Sequence, residues 1–237
     1  MRLRFPFVLG ALAAAVLHGS PAHAARPFVV DDARVTDPGA CQVETWLKRN
    51  PGSHEVWALP ACNLFGIEIT AGAGVQSANA AGQSDQRDYQ FQGKTLFRPL
   101  TTNDGGWGLA AGVVRHADIA LHENLLANRY FYVPVSKSFA DDRFVLLTNL
   151  GVVDNRDETR RGLLWGAGGE YYLTQRTVLL GEVYGATGFD RFSQVGLRYW
   201  IIPDRLQVDS TYGFQWNGAN RTEWFTVGFR IISGKLF

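Results

Sequence analysis

Residues 66–76, GIEITAGAGVQ, fall into two sets when read at every second position. Ile67, Ile69, Ala71, Ala73 and Val75 are apolar, whereas Gly66, Glu68, Thr70, Gly72, Gly74 and Gln76 are polar or small. Side chains alternate across a β-strand, so this stretch predicts a strand with one oily face and one polar, glycine-rich face. A soluble sandwich strand gains nothing from glycine, which weakens strand interiors. A transmembrane barrel strand does gain, because its polar face lines a crowded lumen while its apolar face meets lipid.

The same alternation recurs along the chain. Cys41–Arg49 and His54–Cys62 flank the turn Asn50-Pro51-Gly52-Ser53. After the stretch at 66–76 come Tyr89–Phe97, Trp107–Val113, Tyr130–Val135, Phe144–Leu150, Leu163–Tyr171, Leu179–Tyr184, Val195–Ile201, Leu206–Tyr212 and Phe225–Ile231. The pattern predicts an all-β fold, a transmembrane antiparallel up-and-down barrel of about 12 strands. Connections alternate between short ones (near Asn63, Thr101–Gly106, Ala140–Asp142, Thr174–Thr177 and Pro203–Asp204) and longer polar ones (Ser77–Gln86, Arg115–Ala127, Asp154–Arg161, Gly185–Arg191 and Phe214–Arg221). Short periplasmic turns and long external loops are the asymmetry expected of outer-membrane barrels.

Charges follow the same parity. Glu68, Lys94, Arg98, Glu170, Glu182, Arg198, Asp209 and Arg230 all occupy polar-face positions and are predicted to face the lumen. No charge falls mid-strand on the apolar face, where Arg or Lys would cost about 2–4 kcal/mol at the bilayer midplane. Trp107, Tyr171, Tyr199 and Tyr212 fall on the apolar face near strand ends, as interfacial girdles require.

Turn positions convert this pattern into contacts. A turn at Pro51-Gly52 pairs Trp46 with Trp57 and Cys41 with Cys62 at a narrow, non-hydrogen-bonded site, which predicts a Cys41–Cys62 disulfide in an exported protein. A turn at Pro203-Asp204 pairs Arg198 with Asp209, and one centred on Arg176 pairs Glu170 with Glu182. External loops closing near Asp190 and Ala219-Asn220 would set Glu182 beside Arg198 and Asp209 beside Arg230. The expected result is an inward belt of Glu170, Glu182, Arg198, Asp209 and Arg230. Such a belt is either a structural ion network or a selectivity constriction.

Composition adds the destination. Arg2 and Arg4, the apolar run Phe5–Leu17 and the small-x-small motif Ala22-His23-Ala24 predict a signal peptide over 1–24, with the mature chain starting near Ala25. Ala25–Ala40 lacks a period and is read as a flexible periplasmic lead in preference to a segment folded into the barrel mouth. The barrel domain is 41–237. Beyond Leu17 no apolar run is long enough for a spanning helix. Mean hydropathy is −0.09 with 13% aromatic residues and 26 glycines, which suits lipid-facing positions diluted by lumen-facing ones. A net charge of +1 gives no electrostatic case for nucleic acid.

Catalytic chemistry finds little support. His116-Ala117-Asp118 and His122-Glu123 fall in one external loop, but no third ligand or metal motif accompanies them. Ser136 and Ser193 have no identifiable histidine partner, His54 stands alone, and no nucleophile elbow, phosphate loop or dinucleotide fingerprint occurs. The expectation is no enzyme, no cofactor and no metal, with outer-membrane lipid and a small solute as partners. The rivals are a closed barrel with a structural or surface role and a soluble periplasmic β-protein.

Arg26-Pro27-Phe28, Asp31-Asp32-Ala33, Gly39–Glu44, Gly181-Glu182-Val183-Tyr184-Gly185 and Gly196-Leu197-Arg198-Tyr199-Trp200 carry a resemblance. Across most of the mature chain they resemble uncharacterised proteobacterial outer-membrane barrels grouped with the transporters of the meta-pathway of phenol degradation. That resemblance implies a barrel passing small hydrophobic or aromatic compounds, and it assigns no functional residues.

Overall fold

The computed structural model describes residues 28–78, 85–118, 128–155, 159–216 and 222–237. The predicted signal peptide and residues 25–27 lie outside them, as does the His122-Glu123 pair. The described residues form twelve strands and no helix: β1 (Ala40–Asn50), β2 (Ser53–Leu64), β3 (Ile67–Ala78), β4 (Gln86–Arg98), β5 (Gly105–Asp118), β6 (Asn128–Phe139), β7 (Phe144–Asn155), β8 (Arg160–Tyr172), β9 (Thr177–Ala186), β10 (Arg191–Ile202), β11 (Leu206–Gln215) and β12 (Glu223–Lys235). Each strand pairs antiparallel with its predecessor, and β12 closes on β1. Closure satisfies every ladder within the sheet and leaves no edge, the condition for strands to stand in hydrocarbon.

Strand parity sets the two faces. In β10, Val195, Leu197 and Tyr199 are exposed while Gln194, Arg198 and Trp200 are buried. Trp107, Tyr171, Tyr199 and Tyr212 all face outward and are 37–45% exposed. The opening stretch becomes β3, with Ile67 and Val75 outside and Glu68 and Thr70 buried inside. Most strands run further than the pattern indicated, two of them with consequences. β5 continues to Asp118, so Arg115 and His116 belong to a strand, and β12 continues to Lys235 because Ala40 pairs with it across the seam.

The first hairpin keeps the expected register from Asn50↔Ser53 to Cys41↔Cys62. Gly52 has φ +83°, so Pro51-Gly52 forms a turn whose second central residue is left-handed, the position glycine fills without strain. Cys41 and Cys62 are joined in a disulfide with their Cα atoms 4.0 Å apart. At the next turn Phe65 and Gly66 both have positive φ, the twist that suits a two-residue hairpin.

Three other registers differ from the sequence-based expectation, each by an even number of residues. Glu170 pairs with Leu180, and Glu182 with Gly168, because the β8–β9 turn centres on Gln175 and not on Arg176. There the Thr174 hydroxyl accepts from the N–H groups of Arg176 and Thr177 and fixes the turn. Glu182 pairs with Gln194 and not with Arg198, since the β9–β10 turn centres on left-handed Gly188. Arg230 pairs with Gln207 and Asp209 with Gly228. Even shifts keep every side chain on its predicted face while changing its neighbours.

Candidate functional site

The lumen begins with a segment the strands enclose. Gly39 sits at the periplasmic mouth, where its N–H donates to the Asn63 carbonyl and its carbonyl accepts from Leu236. From there residues 28–38 run up inside the barrel, with Val30, Asp32, Ala33 and Thr36 no more than 1% exposed. The flexible lead inferred from the missing period is therefore corrected: from Phe28 onward the segment is packed in the lumen. A segment recognised by many different strands needs no repeat of its own, so periodicity could not reveal it.

Each part of the segment has a wall partner. Phe28 and Val30 pack against inward Val145, Leu147, Val178 and Leu180, a small apolar core within the barrel. A Cβ at Gly166 would lie 2.5 Å from Val30, so that glycine makes room for the segment. The Glu182 carboxylate accepts from Val29 and Val30 N–H groups at 2.8–3.1 Å. Asn149 accepts from Asp31 N–H and donates to the Asp31 carbonyl. Ala33 N–H donates to the Ser136 hydroxyl, and Glu68 accepts from both the N–H and the hydroxyl of Thr36. Asn63 donates to the Thr36 carbonyl.

The charges form one alternating chain. Lys94 lies 2.7 Å from Asp31 and 3.5 Å from Asp32; Asp32 meets Arg34 at 3.1 Å; Arg34 meets Glu170 at 2.9 Å; Glu170 meets Arg198 at 2.7 Å. Lys94 is on β4 and Arg198 on β10, opposite walls of a ring of twelve. Three carboxylates and three cations thus bridge the lumen as a bar, half of it supplied by the segment. Burial of such charges is costly in itself, and breaking one pair by removing a partner costs about 3–5 kcal/mol. The bar therefore fixes where the segment lies more than it adds net stability.

The predicted charges now have definite places. Arg198 still faces Asp209, but its guanidinium reaches back to Glu170. Glu182 sits one level higher, beside Gln194 and the segment backbone. Arg230 turns toward β1, donating to Gln42 at 2.6 Å and standing 3.6 Å from Glu44. The belt expected in strand order is thereby corrected to two groups, one centred on Glu170 and one on Arg230. Glu68 and Lys94 are buried in the lumen. Arg98 is not: a register shift after Leu96 leaves it 57% exposed and paired with Asp104 in the β4–β5 turn. The Gly105 N–H, and after it Arg98, hold the Asp104 carboxyl below the usual carboxylate range.

Above the bar the lumen is hollow. A cavity of about 600 Å³ opens there, lined by Phe28, Trp46, Tyr130, Tyr184 and Phe192 and reaching down to the charged Asp31, Lys94, Glu44 and Glu68. Trp46 stacks on Trp57 at 5.5 Å, Tyr130 on Tyr132 at 6.0 Å, and Tyr184 on Phe192 at 5.3 Å. The inward glycines explain how such rings fit. A Cβ at Gly74 or Gly213 would come within 2.3 Å of the Trp57 or Trp224 ring, so these rings lie flat against the wall. Polar groups are interspersed: Tyr130 donates to Gln92 and accepts from Gln90, and Tyr132 donates to Asp31. Sequence parity gave no sign that these aromatics gather at one end of the lumen. Among the described residues no group of three or more His, Cys, Asp or Glu side chains is arranged to hold a metal ion.

A family model described as Uncharacterised conserved protein UCP029691 matches residues 12–232. The chain belongs to that family. No curated protein matches it. Among solved structures, the chain resembles a KdgM porin, with a TM-score of 0.58 and 11% identity over 80% of this chain and 98% of that one. A NanC porin aligns at a TM-score of 0.56 and 10% identity, covering 81% and 98%. An outer membrane channel of the COG4313 group from Pseudomonas putida F1 aligns at 0.56 and 10%, covering 85% and 98%. Identity this low reports a shared fold: the UCP029691 chain has the architecture of an outer-membrane porin. None of these matches connects the family to the meta-pathway of phenol degradation.

Proposed function

We propose that the protein is an outer-membrane channel for small, uncharged or weakly polar aromatic solutes, with no enzymatic step. The observation carrying this reading is the aromatic cavity above the charged bar. Its size falls in the range of small-molecule sites, about 300–1,000 Å³. Stacked rings with scattered amide and phenol groups suit a flat ring bearing a hydroxyl or carbonyl. The outer membrane is the location that the lipid-facing exterior, the short and long turn ends and the porin architecture all favour.

Passage through the lower half requires the segment 28–38 to move, because it lies across the lumen where the wall residues Arg198, Arg230, Glu170, Gln207, Val145 and Val178 are fully buried. The same obstruction favours a second reading, a barrel closed to solutes with a structural or surface role. Single-channel recording separates the two. The refolded full chain is expected to show small, infrequent openings that millimolar p-cresol blocks and glycerol does not. A chain lacking residues 28–37 is expected to show larger, steadier openings. Absence of conductance from both chains would reject the channel.

A further inference from the structure

The outer wall carries a second concavity, separate from the lumen. It has a volume of about 650 Å³, lies at the external ends of β6, β7 and β8, and is lined by Arg129, Phe131, Val152, Asp154, Arg161 and Leu163. Strand register arranges these in two rows. Arg129 faces Asp154, which faces Arg161; two positions lower, Phe131 faces Val152, which faces Leu163. Phe131, Val152 and Leu163 are 42–55% exposed and point to the lipid side.

The upper row has more positive than negative charge. Asp154 binds Arg161 at 3.1 Å, and Arg161 remains 80% exposed. Arg129 has a buried Nε with no hydrogen-bond partner among the described residues. One carboxylate thus stands between two guanidiniums. Among the described residues, other external strand ends add outward Arg49, Arg87, Arg115 and Arg191 against Glu223, with Asp85 exposed just ahead of β4.

We propose that this cleft binds the phosphate-bearing headgroup of a lipid in the external leaflet. A planar guanidinium matches the spacing of phosphate oxygens and can grip two at once. The apolar row lies one strand repeat below the charged row, roughly 7 Å deeper along the strand. Acyl chains descending from a phosphate held by Arg129 and Arg161 cover that row. Free inorganic phosphate would leave it bare, which is why the occupant is an amphiphile.

The test uses the purified full chain in dodecyl maltoside, titrated with bis-phosphorylated lipid A and with its dephosphorylated form and read by native mass spectrometry. The wild type is expected to retain one phosphorylated lipid. The double variant Arg129→Gln, Arg161→Gln is expected to hold it about ten-fold more weakly or worse, as loss of charge-assisted hydrogen bonds predicts. The control Arg49→Gln, Arg191→Gln, on β1 and β10, is expected to match the wild type. Heat-modifiable gel mobility verifies that each variant is folded. Equal retention of the dephosphorylated lipid, or an equal loss in the control, would overturn the proposal. Displacement by millimolar inorganic phosphate would also overturn it, pointing to a soluble anion instead.

Discussion

The two halves of the lumen are made by the same alternating strands yet hold opposite contents. Toward the periplasm, Lys94, Asp31, Asp32, Arg34, Glu170 and Arg198 form a buried bar, and the space between is filled. Toward the exterior, Trp46, Tyr130, Tyr184 and Phe192 line a cavity of about 600 Å³. Wall glycines serve different neighbours. Gly166, level with Tyr184, yields space to the segment, whereas Gly74 and Gly213 let tryptophan rings fold back against the wall. An inward face rich in glycine is thus no sign of an open or a closed pore. What matters is which neighbour occupies the vacated volume.

The largest expected effect comes from breaking the bar. Arg34 is the segment's only cation between Asp32 and Glu170, and Arg34→Ala leaves two buried carboxylates facing each other across its place. The segment should lose about 3–5 kcal/mol of its docking free energy. Hydrogen exchange should then show the amides of residues 29–36 unprotected while the strand amides stay protected. If the strands lose protection in parallel, the segment is part of the barrel's stability and not a separable piece.

A smaller effect is expected at Glu182, which accepts two backbone N–H groups with its charge. Glu182→Gln keeps an acceptor and removes the charge, so about 1–2 kcal/mol of docking should be lost. Single-channel openings should become more frequent without becoming larger. Openings as large as those of the chain lacking 28–37 would mean that Glu182 alone holds the segment.

The smallest effect on the fold belongs to the upper half. Tyr184 borders a hollow and stacks on Phe192. Tyr184→Phe, which keeps the packed ring and removes its hydroxyl, should change the thermal midpoint little, costing about 1 kcal/mol or less, while weakening p-cresol block several-fold. Unaltered block would move the solute site away from this hydroxyl. The reciprocal change, Gly213→Leu, would push Trp224 toward the lumen and should narrow the cavity without touching the bar.

Sequence parity made the faces legible and left the neighbours undetermined. Glu68, Lys94, Glu170, Glu182, Arg198, Asp209 and Arg230 point inward as their positions demanded, since a period of two is insensitive to where a turn is centred. Their partners depended on turn centres. Pro51-Gly52 and Pro203-Asp204 announce themselves, so Cys41–Cys62 and Arg198–Asp209 were found. The turn at Gln175 is set by one threonine hydroxyl, and the turn at Gly188 lies in a segment offering several candidate centres. Arg98 misled because a bulge, which parity cannot register, precedes it. Asp31, Asp32 and Arg34 were visible as charges, but only the assembled walls show the carboxylate and amine they complement.

The enclosed segment also constrains how the molecule can be assembled. It precedes β1 in the chain, and the seam between β1 and β12 is the one pairing that joins opposite ends of the sequence. Its partners Asn63, Glu68, Lys94, Ser136, Asn149, Glu170 and Glu182 come from seven strands, β2, β3, β4, β6, β7, β8 and β9. A finished ring could admit those residues only by threading a charged strand end through its mouth. Curling the sheet around the segment avoids that step and lets it serve as a mandrel on which distant strands are gathered before the seam zips. Contacts so remote in sequence make for slow folding, and they tie the last event of barrel closure to the residues just ahead of the first strand.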